Sequence, residues 1–135
     1  MAGKKLVQIL SDQEIFNIHE RVLGRDGGLA GLRGDASLAS ITQRVQNHAL
    51  FDPDYHDPVR LSALLAYAIV VGHPFNDANK RTAFVACLTM LQLNGYVLHD
   101  GQWLAELLVV VAAGRLEQSI FISDVVNAVS ARTNP

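Results

Sequence analysis

A single cysteine, Cys87, stands in a chain of 135 residues, so neither an internal disulfide nor a multi-cysteine zinc site can be built. Charge is sparse as well: 18% of residues are charged, against ~25% in an average soluble domain. Disordered chains show the reverse balance, and 50% apolar residues leave ample material for a core. The 11 basic side chains do not cluster and the net charge is −2, which removes the electrostatic footprint of duplex binding. No apolar run reaches the ~18 residues of a membrane span. The apolar stretch ahead of Ser11-Asp12 is too short for a signal-peptide core. A Walker-type phosphate loop and a Gly-x-Ser-x-Gly elbow are both missing, which closes those NTPase and hydrolase routes. The expectation that remains is one soluble, cytoplasmic domain over 1–135, with no nucleic acid and no membrane among its partners.

What is present is helical nearly throughout. Ser11 and Glu14 have the spacing of a capping box, followed by Ile15, Ile18 and Val22 at helical intervals, with Gly24 as a stop. Gly27 to Gly34 holds four glycines in eight residues and reads as loop. Asp35 or Ser37 can cap a second helix, with Leu38, Ile41, Val45 and Ala49 on one stripe. After a loop at 51–58, Asp57 and Pro58 form a good N-cap and first-turn pair. They open a third helix through Leu61, Leu64, Leu65, Ala68 and Ile69 to Gly72. Lys80 to Asn94 reads as a fourth helix, apolar on all sides from Ala83 to Leu91 except at Thr89, and such a helix belongs at the centre of a bundle. Gln102 to Ala113, stopped by Gly114, makes a fifth, and Ser123 or Asp124 is expected to cap a sixth through Val125, Val126 and Val129. The fold class that follows is all-α, a compact bundle of about six helices around a buried central helix.

The segment His73-Pro74-Phe75-Asn76-Asp77-Ala78-Asn79-Lys80-Arg81 joins two apolar helices. A helix start offers unpaired N–H groups and the positive end of a dipole, hence an anion seat. Lys80 and Arg81 fall in that first turn, where the dipole disfavours cations by ~0.3–1 kcal/mol each. A polyanion would remove the conflict. Asp77 would repel it unless Mg²⁺ lay between, since that ion is held by one or two carboxylates together with phosphate oxygens. His73 is the one nearby group that accepts a proton near neutral pH. Asn79 can donate to phosphate or fix the loop, Phe75 can plug the core, and Pro74 stiffens the turn. Base, metal carboxylate, anion nest and cations together suit phosphorus-centred group transfer. On the residues alone, a capped turn without a ligand stays open beside this reading.

The segment resembles the signature of the Fic/Doc family, His-x-Phe-x-Asp/Asn-Gly-Asn-Gly/Lys-Arg. Gly27-Gly28-Leu29 through Gly34, Arg44-Val45-Gln46, Leu91-Gln92-Leu93-Asn94-Gly95 and Ala113-Gly114 extend the resemblance over most of the chain. It implies His73 as the general base on a target hydroxyl, Asp77 as the Mg²⁺ ligand, and Asn76, Asp77, Ala78, Asn79, Lys80 and Arg81 as the nucleotide-phosphate cradle. Members that transfer AMP have glycine at the position of Lys80. A lysine there implies the toxin branch, kinases that pass the γ-phosphoryl group of ATP to a threonine of elongation factor Tu, arrest translation and are neutralised by a Phd-like antitoxin. AMP transfer, or a non-catalytic antitoxin-binding module, are the alternatives. Two positions depart from the pattern: Ala78, where many relatives have glycine although the kinase-type toxin itself has alanine, and Val71, where the kinase-type toxin has arginine. The Ser/Thr-x-x-x-Glu-Gly/Asn motif of self-inhibited members is absent.

Elsewhere, Cys87 lies mid-helix in apolar company and reads as packing, and Trp103 as core. His19, His48, His56 and His99 have no partners in sequence and read as surface or loop residues. Tyr55 and His56 fall where the family places a target-docking flap.

Overall fold

The computed structural model describes residues 7–33 and 38–133, with the side chains of 131–133 excepted. Among the described residues it has six α-helices and no strand: α1 (Asp12–Asp26), α2 (Leu38–Phe51), α3 (Pro58–Gly72), α4 (Asn79–Leu93), α5 (Gln102–Ala112) and α6 (Gln118–Thr133). A short 3-10 turn, Pro53–Tyr55, sits between α2 and α3. The all-α bundle expected from sequence is the fold observed.

Local chemistry sets several of the boundaries. Ser11 Oγ accepts from Glu14 N at 3.2 Å while Glu14 Oε1 accepts from Ser11 N at 3.0 Å, so the capping box is closed. Asp57 caps α3 through Val59 N at 2.9 Å, with Pro58 in the first turn. Gly114, at φ 74°, follows α5 in the left-handed conformation, and the Val109-Val110-Val111 run is helical despite its β propensity. Two boundaries differ from expectation. α1 passes through Gly24 and stops at Gly27, whose N–H bonds Leu23 O at 2.7 Å, because a glycine inside a helix costs only ~0.5–1 kcal/mol. α6 starts at Gln118, upstream of Ser123 and Asp124, which stand exposed within it. Burial of Phe121 and Ile122 extends its apolar stripe toward the N-terminus and outweighs the cap signal. The cap candidates Asp35 and Ser37 lie outside the described residues.

The centre of the bundle is α3, not α4. Val59, Leu61, Leu64, Leu65, Ile69 and Val70 are all buried on it, and it packs against α2, α4, α5 and α6. α4 packs against α3, α1 and α5, but Phe84, Val85, Leu88 and Thr89 on it are only half-buried. Periodicity cannot distinguish the two, because both are apolar on most faces; which one is surrounded depends on the neighbours. Trp103 is also half-buried rather than deep in the core, with its indole N–H on Asp100 O at 2.8 Å. Cys87 is fully buried, and that burial pushes its thiol pKa up to about 12. The site lies where the end of α3 turns into the start of α4.

Candidate active site

The turn from α3 to α4 contains two residues in the left-handed region, His73 (φ 51°) and Ala78 (φ 64°), the only non-glycine residues so placed among those described. Such backbone persists where surrounding contacts over-determine it, and here those contacts are explicit. His73 closes α3 with its N–H on Ile69 O at 3.0 Å. Phe75 is completely buried. Asn79, also buried, donates from Nδ2 to Phe75 O at 2.9 Å and accepts from Phe75 N at 3.0 Å through Oδ1. Of the two roles open to the Asn79 side chain, the one it fills is fixing the loop.

A glycine-rich segment braces the turn from outside. Asn76 N and Nδ2 donate to Gly31 O and Ala30 O, both at 3.0 Å, and Arg33 N donates to Pro74 O at 2.9 Å. Leu32 and Phe75 form an isolated antiparallel bridge. Arg33 also reaches His73 O with its guanidinium at 3.3 Å. The segment read from sequence as a plain loop is therefore part of the site's framework. Tyr55 and His56 lie at the 3-10 turn between α2 and α3, where Tyr55 packs on His48.

Ala78 cannot cap α4 with its side chain, and the first backbone N–H to find a helical carbonyl is that of Thr82, onto Ala78 O at 2.9 Å. The N–H groups of Asn79, Lys80 and Arg81 are left for another acceptor, as at an anion-binding helix start. They adjoin a cavity of about 320 Å³ lined by His73, Asn76, Asp77, Ala78, Asn79, Lys80 and Arg81, with Val70 and Ala112 as its apolar side. Every site residue read from sequence thus borders one space. Their freedom differs. Lys80 is exposed, whereas Arg81 donates to Gly27 O at 3.2 Å and pairs with Asp26 at 3.6 Å. On the far side of Lys80 and Arg81 lies a second cavity of about 670 Å³ between α1, α4 and α5, with Ile18, Val22, Phe84 and Leu108 on its floor and Arg21 and Arg25 on its rim.

Asp77 accepts Ala78 N on Oδ1 at 2.8 Å and Leu29 N on Oδ2 at 3.1 Å. Those two backbone donors, the Leu29 bond foremost, hold its carboxyl below the usual carboxylate range, with Arg81 and His19 assisting. Each oxygen keeps a lone pair, so the ionised group suits Mg²⁺, which is satisfied by one or two carboxylates when phosphate and water complete its shell. Among the described residues no group of three or more His, Cys, Asp or Glu exists that would make an all-protein metal cage.

One residue of this framework escaped the sequence reading. His19 is not on the surface: it is completely buried, stacked on Phe75, with Nε2 on Asp77 O at 2.9 Å. The signal that could have found it is its spacing, since Ile15, His19 and Val22 share one face of α1. The other three histidines are as expected in kind: His56 and His99 are exposed, and half-buried His48 sits 3.4 Å from Asp52.

The family model described as Fic/DOC matches residues 9–91 of this chain, a span that holds α1 to most of α4 and the whole α3–α4 turn. The chain is also 36% identical over 110 residues to a protein of Escherichia phage P1 named protein kinase doc, covering 82% of this chain and 86% of that one.

Proposed function

This chain belongs to the Fic/DOC family, and we propose that it is a toxin of the kinase type, passing the γ-phosphoryl group of ATP to a hydroxyl of a protein of the translation machinery. The observation that carries the reading is the uncapped start of α4, opening beside one cavity that also bears His73, an ionised Asp77 and the cations Lys80 and Arg81. The relative's name, protein kinase doc, favours phosphoryl transfer over AMP transfer. So does Lys80, which places a charge where AMP-transferring members have glycine.

In this reading His73 accepts the proton of the target hydroxyl. The freed oxygen bonds to the γ-phosphorus as the bond from that phosphorus to the β–γ bridging oxygen breaks, and ADP leaves. Backbone N–H groups of Asn79 to Arg81 and the Lys80 ammonium take up charge on the phosphates, which is where such transfers gain most of their rate. Asp77 would hold Mg²⁺, whose contribution when bound is to screen the carboxylate from the phosphate oxygens. The preferred target is a threonine of elongation factor Tu, in the cytoplasm. A Phd-like antitoxin would neutralise the toxin, and an acidic amphipathic segment suits the larger cavity, with its apolar floor and its rim of Arg21 and Arg25.

The test is transfer from ATP labelled at the γ or the α phosphate to purified elongation factor Tu. Label from the γ position alone, with a mass gain of one phosphate, supports the kinase reading; label from the α position replaces it with AMP transfer. His73→Ala is expected to lower the rate about 10²–10⁴-fold without unfolding the protein. Undiminished transfer by that variant would overturn the role of His73.

A further inference from the structure

We propose that His19 is a positioning residue for this reaction, setting the one peptide plane that orients both Asp77 and the start of α4; the inference rests on the phosphotransfer reading above. The plane is that between Asp77 and Ala78. Its N–H end is held by the Asp77 carboxylate at 2.8 Å, and its C=O end by His19 Nε2 at 2.9 Å. A carbonyl oxygen only accepts, so Nε2 carries the hydrogen in this bond. Ala78 follows directly in the left-handed conformation, at φ 64° and ψ 28°. If the plane rotated, Asp77 Oδ1 would lose its donor, Ala78 would leave that conformation, and the N–H groups of the next three residues would turn with it.

The imidazole also fixes the turn at a second point. Its ring lies on Phe75 with centroids 3.8 Å apart and an interplanar angle of 5°. His19 belongs to α1, 58 residues before Asp77, so this brace ties the site to a different part of the bundle. Packing alone does not call for a histidine here. The position is completely buried on an apolar stripe with Ile15, Ile18 and Val22, and Nδ1 has no hydrogen-bond partner. A buried polar atom without a partner costs stability that a leucine or phenylalanine at the same place would avoid. What the histidine adds is the donor to Asp77 O.

Two substitutions separate the donor from the ring. His19→Phe keeps a ring to stack on Phe75 and removes the donor; His19→Gln keeps an N–H donor near the position of Nε2 and removes the ring. The measurements are kcat and KM for ATP with elongation factor Tu as acceptor, and amide hydrogen exchange at Ala78 against that in α6. Misplacement of reacting groups by about 1 Å can cost on the order of 10²-fold. His19→Phe is therefore expected to lower kcat about 10–100-fold with little change in KM, to speed exchange at Ala78, and to leave α6 unchanged, while His19→Gln recovers most of the lost kcat. A folded His19→Phe protein with wild-type kcat, or with wild-type exchange at Ala78, overturns the proposal, as does a folded His19→Gln protein no better than His19→Phe. If His19→Phe does not fold, His19→Asn, whose shorter amide falls short of Asp77 O, takes its place in the same measurements. Should the wild-type chain transfer nothing, the phosphotransfer reading fails by itself. Exchange at Ala78 then still decides whether His19 sets the plane.

Discussion

The turn at 73–78 and the glycine-rich segment at 27–33 share a ladder of hydrogen bonds, yet they are held in different ways. The turn is anchored from within: Phe75 is fully buried, Asn79 grips its backbone from both sides, and His19 supports it from below. The glycine segment has no such anchor. Gly27 to Ala30 are exposed, Leu29 and Leu32 stand 68% and 47% exposed, and beyond the bonds of Gly27 to Leu23 and Arg81 the backbone bonds that position the segment run to the turn itself. Across the Leu32–Phe75 bridge, one partner faces solvent and the other is the core plug. The residues proposed for chemistry stand on the anchored side, and the brace takes its shape from them. A site that must hold two left-handed residues in place gains from this division, since its rigidity comes from the core.

The largest break in the comparison is Phe75→Ala. Removing a fully buried phenylalanine costs about 3–5 kcal/mol, and the His19 stack goes with it. Denaturant unfolding is expected to show that loss for the whole bundle. Leu29→Ala and Leu32→Ala, in the brace, are expected to change global stability by less than about 0.5 kcal/mol, as exposed substitutions do. Equal losses on the two sides would mean that the brace is a second anchor.

Gly28→Ala tests the brace from its own side. At Gly28 φ is +131°, and an added Cβ would lie 2.8 Å from Asp77 Oδ2, 2.9 Å from Leu23 Cδ2 and 3.3 Å from an Arg81 guanidinium nitrogen. The carboxylate cannot yield freely, because the Leu29 and Ala78 N–H groups fix both its oxygens. The backbone strain alone is on the order of 1–3 kcal/mol. The brace is expected to lift off, with faster amide exchange at Leu29 and Asn76, while Phe75 keeps its protection. That pattern, opening on one side only, is what unequal anchoring requires.

These contrasts also show what the sequence carried and what it did not. Ser11 with Glu14, and Asp57 with Pro58, were legible because a cap depends on residues within three positions of one another. His73, Asp77 and Lys80 were legible because the turn that gathers them is contiguous. His19 was not, since its partners Phe75 and Asp77 meet it only after α1 packs on α4. The glycine segment was invisible as a brace for the same reason: Gly31 and Asn76 are adjacent only in space. The start of α6 and the rank of α3 over α4 depended likewise on which neighbours cover them.

Acid should loosen the brace before it loosens the turn. Asp77 has its carboxyl pKa lowered on folding, chiefly by the Leu29 N–H and then by that of Ala78. A depressed carboxyl contributes stability above its unfolded pKa of ~3.9. That contribution is lost as pH falls through the lower folded value. The effect is expected to be modest, because the carboxylate is open to solvent. The protection factor at Leu29, its exchange taken relative to the intrinsic rate at each pH, should fall on acidification in the wild-type chain. In Asp77→Asn that factor should already be low at neutral pH, with little further response to acid.

The smallest expected effect concerns Ala78, a non-glycine residue held at φ 64°. Its left-handed backbone costs an alanine about 1–2 kcal/mol relative to the right-handed region, and Ala78→Gly removes that strain. Two terms oppose the gain. Glycine gives up about 0.5–1 kcal/mol more conformational entropy on folding. The Ala78 methyl is buried at 8% exposure, and one such group is worth about 0.8 kcal/mol. The terms nearly cancel, so stability should stay within about 0.5 kcal/mol of wild type by denaturant unfolding. The backbone at 78 then has more conformations to choose from, and amide exchange at Ala78 and Asn79 should quicken even though the global midpoint does not move. A loss of 2 kcal/mol instead would mean that the methyl packs against the turn more firmly than the backbone strains it, placing Ala78 with Phe75 among the anchors.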